Sequence, residues 1–259
     1  MKAISARLYD LLELMLPRYC AACGEKLFRA ERCLCACCIK DIPLTYFWSR
    51  EHNPMADRFN EKIQRSLDGN TRPAEPYSFA VALYFYKGNY RNLSQGLKYD
   101  ADIRTGRYIS AALGRKVAAS PFLADVDLII PVPLHPRHRW RRGYNQAEVI
   151  AREVAAVLCS SGRGCRVDPA VLRRRRNTVS QVKLSGEDKF ANVQGAFRVN
   201  PRTFYELPVH ILLIDDVFTS GSTLSECHGT LRRALADRFG PEKATAVKIS
   251  AATLAFVGE

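Results

Sequence analysis

The chain has 259 residues, 47% of them hydrophobic and 25% charged, with 15 Gly and 13 Pro. That suffices for one full domain plus a smaller module, and it excludes disordered, collagenous and coiled-coil chains. The 39 basic against 26 acidic side chains leave a formal charge of +13, which favours an anionic partner such as nucleic acid or a phosphorylated metabolite.

Along the chain, the first stretch places Ile4, Leu8, Leu11, Leu12 and Met15 on one face of a helix, which predicts packing against the rest of the protein. Arg7, Asp10 and Glu13 interrupt it. No apolar run approaches the roughly 20 residues that span a bilayer, so neither an export signal nor integral membrane association is expected. Six of nine cysteines then fall between Cys20 and Cys38, a crowding that suits a reduced, cytoplasmic protein with a metal knuckle better than a disulfide framework.

Cys20-Ala-Ala-Cys23-Gly and Cys35-Ala-Cys-Cys38 form two C-x-x-C pairs, each able to offer two thiolates to one tetrahedral ion. Zn²⁺ in a structural role is the default metal for four thiolates. Cys33 and Cys37 can replace Cys35 or Cys38 after a small change of register, so the spacing leaves the second pair open. Residues 49–76 are charged, with few regular apolar repeats, and read as a connecting segment between residues 1–48 and a domain over 77–259.

From Tyr77 the pattern alternates. Strands are expected over Ser78–Tyr86, Val126–Val132, His210–Ile214 and Ala244–Phe256, and helices over Asn92–Tyr99, Arg104–Ala118, Asn145–Leu158 and Ser222–Phe239. The basic segment from Arg173 to Asn192 lacks periodicity, and its run Arg173–Arg176 reads as an exposed lid over a site or as a nucleic-acid contact. This is the pattern of an α/β fold, a mainly parallel sheet with helices on both faces, in which ligands sit beyond the carboxyl ends of the strands.

Asp215 and Asp216 end an apolar strand, followed by Thr219-Ser220-Gly221-Ser222-Thr223 and a helix. A helix start offers unpaired N–H groups and a positive dipole, so this loop suits a phosphate, with four hydroxyls as further donors and Gly221 allowing close approach. Adjacent carboxylates are good acceptors for ribose hydroxyls. No Gly-Lys-Ser/Thr and no G-x-G-x-x-G occurs, which argues against P-loop ATPases and dinucleotide enzymes. Arg139, Arg141 and Arg142 interleave with Trp140 and Tyr144, a composition suited to phosphates with bases stacked on aromatics, or to a positive rim around a diphosphate pocket.

The acidic pair and hydroxyl loop resemble the phosphoribosyl-pyrophosphate loop of type I phosphoribosyltransferases. Four further segments resemble the ComF family of competence-associated, phosphoribosyltransferase-like proteins: the thiol pairs ending in Cys38-Ile-Lys-Asp-Ile-Pro43, Leu97-Lys98-Tyr99, Ile130-Pro-Val-Pro-Leu-His135 with Arg142-Gly-Tyr-Asn-Gln146, and Asn192-Val-Gln-Gly-Ala-Phe197. The resemblance runs from about Cys20 onward. It implies that Cys35 and Cys38 are the second thiol pair and that Lys98 and Tyr99 lie against the diphosphate. It further implies that Asp215 and Asp216 hold the ribose hydroxyls, that Thr219 to Thr223 hold the 5′-phosphate, and that Mg²⁺ accompanies phosphoribosyl pyrophosphate. Ser220 stands where the family usually has Thr, and Lys189 where relatives often carry Arg, which keeps charge but loses bidentate geometry at the flexible loop. Two functions follow as expectations: a ribose-phosphate-binding protein linked to uptake or processing of single-stranded DNA, and an active phosphoribosyltransferase using an unidentified base or amine.

Overall fold

The computed structural model describes residues 15–67, 76–99, 101–175, 195–200 and 202–258. The helix expected over 4–16 lies almost wholly outside them, as do Lys189 and most of the basic segment.

A five-stranded, all-parallel sheet carries the fold: β1 (Ala80–Phe85), β2 (Leu128–Pro131), β3 (Arg166–Val167), β6 (His210–Phe218) and β7 (Lys248–Phe256), in the order β1-β7-β6-β2-β3. A separate antiparallel hairpin joins β4 (Leu172–Arg174) to β5 (Phe197–Val199). The central strands read Leu-Ile-Ile, Ile-Leu-Leu-Ile and Ala-Ala-Thr-Leu-Ala-Phe because helices cover both faces and no side-chain row meets water. β2 connects to β3 on one side and β6 to β7 on the other. Right-handed crossovers running in opposite directions put the helix Gln146–Ser160 and the helix Ser222–Phe239 on opposite faces. The sheet therefore has its switch point between β2 and β6, where the chain leaves both strands for different layers.

On one face, Gln146–Ser160 packs against Ile103–Ala119. The approach is close: a Cβ on Gly114 would stand 2.9 Å from Val157 Cβ, so any larger residue forces the pair apart. Asp102 and Asn145 cap these helices through Thr105 N–H (3.0 Å) and Ala147 N–H (3.1 Å).

The stretch 49–76 holds more structure than its sequence suggests. Pro54–Leu67 is a helix that seats Met55, Ala56, Phe59 and Ile63 in the core, against β1 and the helix Ser222–Phe239. Asn53 caps it, accepting from the N–H groups of Met55 (3.1 Å) and Ala56 (3.0 Å). Few apolar residues mark so narrow a stripe, and the charged face around it hides the period. Three other boundaries move. β6 runs on to Phe218, so the acidic pair lies inside the strand; residues 244–246 belong to a helix, Pro241–Ala246, and not to β7; and Arg173 and Arg174 are strand residues. Ladder partners explain the first and the third: Asp215 pairs with Thr253 and Phe218 with Phe256 on β7, and Arg173 pairs with Arg198.

The cysteine-bearing segment joins the outer edge of β1. Thr45 N–H donates to Leu83 O (3.1 Å) and Phe85 N–H to Pro43 O (2.8 Å), which covers an edge that would otherwise offer unpaired backbone groups. No described helix is long and apolar enough to cross a membrane.

Candidate functional site

At the carboxyl ends of β2 and β6 the switch point opens into a cleft of about 340 Å³. β6 delivers both carboxylates. Asp216 is buried, accepts from Val217 N–H (2.9 Å) and Gln146 Nε2 (3.5 Å), and has Lys98 Nζ at 3.9 Å. Asp215 accepts from Asp216 N–H at 2.8 Å. Burial, then the negative charge of Asp216, pushes the Asp215 carboxyl up to about 8, against the pull of the Asp216 amide and Lys98. At neutral pH the pair can thus present one proton donor and several acceptors, the complement of a vicinal diol.

The loop after β6 closes the floor. Gly221 has φ +79° and a hypothetical Cβ 2.7 Å from the Phe218 ring, so both backbone conformation and space require glycine. No side chain caps the helix Ser222–Phe239 at Gly221, and its first-turn amides belong to the loop that lines the cleft. Thr219, Gly221, Ser222 and Thr223 line it; Ser220 does not, and instead shares a hydrogen bond with Ser222 Oγ at 3.0 Å. Arg58, from the helix in the connecting segment, braces the loop through Thr219 O (3.4 Å) and Val257 O (3.1 Å).

Cations form the opposite wall. Lys98 and Tyr99 reach it from the end of the helix Arg91–Tyr99, and Arg141 and Arg142 from the helix Pro136–Arg142. Arg142 stacks over the Tyr99 ring at 5.5 Å and donates to Gln146 Oε1 at 3.0 Å, extending a relay from Arg142 through Gln146 to Asp216. Tyr144 does not line the cleft; its hydroxyl donates to Leu97 O and steadies the helix that carries Lys98. Arg139 lines a neighbouring cleft and lies 3.9 Å from Glu148. Lys189 falls outside the described residues. Two polar lining residues, His138 and Gln146, have no such role in the sequence analysis. Arg174, from the basic run Arg173–Arg176, also lines the cleft, brought there by the β4–β5 pairing.

The thiols of Cys20, Cys23, Cys35 and Cys38 lie within 4.8 Å of one another, with Cys23 and Cys35 Sγ atoms 3.8 Å apart. Zinc–sulfur bonds of about 2.3 Å in a tetrahedron require sulfurs roughly 3.8 Å apart, so the cluster could hold a zinc ion. Burial raises the Cys20 thiol, but backbone N–H groups of Cys23, Cys35 and Ala22 prevail and bring it down to about 7. Cys33 is buried, Cys37 is exposed, and neither joins the four. Asn92 Nδ2 donates to Ala22 O (2.9 Å) and Tyr90 Oη to Cys38 O (3.1 Å), tying the cluster to the root of the Lys98 helix.

No family model matches the chain. It is 36% identical over 135 residues to DNA utilization protein YhgH of Salmonella typhi, covering 48% of this chain and 55% of that protein. The YhgH of Escherichia coli K12 is 36% identical over 110 residues, 41% of this chain and 44% of the relative. The matched region thus spans about half the length of these DNA utilization proteins. Competence protein F of Haemophilus influenzae is 28% identical over 221 residues, 83% of this chain and 90% of that protein.

Proposed function

We propose that the chain is a ComF-like protein, as its similarity to Competence protein F suggests, and that the cleft at the β2–β6 switch point binds phosphoribosyl pyrophosphate or a related ribose phosphate in the service of DNA uptake or processing. One observation carries this reading: a carboxylate pair, a hydroxyl-rich loop at a helix start and a lysine meet in one cleft. The loop takes the 5′-phosphate, the carboxylates take the ribose hydroxyls, and Lys98 with Arg141 and Arg142 faces the diphosphate. Mg²⁺ would be held mainly through the oxygens of the diphosphate and water, with Asp216 the nearest ionised carboxylate, and would neutralise diphosphate charge when bound. The cysteine cluster takes a structural Zn²⁺.

Equilibrium titration with phosphoribosyl pyrophosphate tests the cleft. Lys98→Ala is expected to weaken binding about 10- to 100-fold, because one charge-assisted contact to phosphate is worth ~1.5–3 kcal/mol. Affinity within twofold of wild type contradicts the assignment.

The DNA role rests on the names of the relatives, the charge of +13 and Trp140, which is 90% exposed among arginines. Binding of an oligothymidylate is expected to fall by two or more decades between 50 and 200 mM salt, as counterion release dictates. A flat salt response argues against phosphate-dominated contact. The raised Asp215 carboxyl favours a second reading, a transferase in which this group moves a proton. Release of diphosphate in the presence of a nitrogen-base acceptor distinguishes it from a pure binding protein.

A further inference from the structure

Beside the first cleft lies a second of about 770 Å³ that the ribose-phosphate reading leaves unused. Arg139, Arg173, Arg174, Arg175 and Arg198 line it, and Glu148 is the one carboxylate among its lining residues. Glu148 is itself engaged, by Arg152 at 2.7 Å and Arg139 at 3.9 Å. No described carboxylate lies within ion-pair distance of Arg173, Arg175 or Arg198.

The register of the hairpin sharpens the point. Arg173 and Arg198 are direct cross-strand partners, so two guanidiniums stand on the same face of a three-residue ladder. Like charges directly opposite destabilise a strand pair, and a hairpin this short has little else to offset them. An anion between them removes the repulsion. Arg174, packed over the Phe197 ring at 5.3 Å, stiffens the same hairpin.

We infer that this cleft is a binding site for a nucleoside polyphosphate. The arginines reach it from the helix Pro136–Arg142, from β4 and the residue after it, and from β5, and converge on one volume, as a compact polyanion requires; a nucleic-acid strand calls for cations spread along a track. Its volume lies in the range of small-molecule sites, about 300–1,000 Å³. Pro133, Pro136, Pro169 and Ala170 give it a rigid apolar wall against which a base can lie. Arg174, Pro133 and Leu134 line both clefts, so the two sites are neighbours with a common wall.

Calorimetric titration of the full chain with ATP, in parallel with inorganic tripolyphosphate and a short oligothymidylate of equal charge, tests the inference. ATP is expected to bind more tightly than either. Arg173→Glu sets a carboxylate opposite Arg198, and is expected to weaken ATP at least tenfold while the thermal midpoint holds or rises, an outcome that loss of folding cannot mimic. Phosphoribosyl pyrophosphate at saturation is expected to leave ATP binding in place, which separates this site from the first cleft whether or not that cleft is occupied. Absence of ATP binding, an Arg173→Glu affinity within twofold of wild type, equal binding of tripolyphosphate, or displacement of ATP by the oligonucleotide overturns the assignment.

Discussion

Cys35→Ser is expected to cost the protein its zinc and the order of its cysteine-bearing segment, whereas Cys37→Ser, two residues away, leaves one zinc per chain. The difference follows from position: Cys35 Sγ stands 3.8 Å from Cys23 Sγ inside the four-thiol cluster, and Cys37 is exposed outside it. Structural zinc in small modules is worth ~10–16 kcal/mol of apparent binding energy, and that energy is folding energy for the segment it closes. The loss travels further. Asn92 and Tyr90 hold the carbonyls of Ala22 and Cys38 at the start of the helix Arg91–Tyr99, whose last turn carries Lys98. Zinc stoichiometry by atomic absorption, with thermal midpoints for both variants, checks the account; equal metal loss in the two variants contradicts it.

The double variant Asp215→Asn with Asp216→Asn is expected to lose phosphoribosyl pyrophosphate binding by 100-fold or more and yet gain stability at alkaline pH. The sign follows from the carboxyl pair. Asp215 titrates at about 8 in the folded protein, above its ordinary value of 3.8, so folding favours its protonated form. Its contribution is fully present below pH 4 and is lost as pH rises through about 8. Asn keeps the hydrogen-bonding shape without the charge, so a gain of about 1–3 kcal/mol is expected at pH 9 and almost none at pH 4. Denaturant unfolding at the two pH values reads it. A variant destabilised at both assigns the pair a structural role instead.

Much of this was legible in the sequence because the signals were local. The parallel sheet follows from unbroken apolar runs such as Ile211 to Ile214, and the hydroxyl-rich loop at a helix start from the residues crowded around Gly221. The thiol spacing indicated a tetrahedral cluster, although the register needed either family resemblance or coordinates. The remainder depends on pairing across the chain. Only the β6–β7 ladder carries Asp215 and Asp216 into the strand, and only the β4–β5 ladder sets Arg173 against Arg198. The helix Pro54–Leu67 is hidden because four buried residues, Met55, Ala56, Phe59 and Ile63, among residues 54–65 are enough when Arg58 on its polar face is recruited to brace the loop at Thr219. Gln146 carries no charge to mark it beside the arginines before it, yet it is the residue that joins Arg142 to Asp216.

The most direct test of the central claim is calorimetric titration of the zinc-loaded chain with phosphoribosyl pyrophosphate, with and without Mg²⁺. The account predicts one site per chain, tightened by Mg²⁺ and lost in the Asp215→Asn, Asp216→Asn variant. Absence of binding by the folded wild type, or binding that the variant retains, contradicts it.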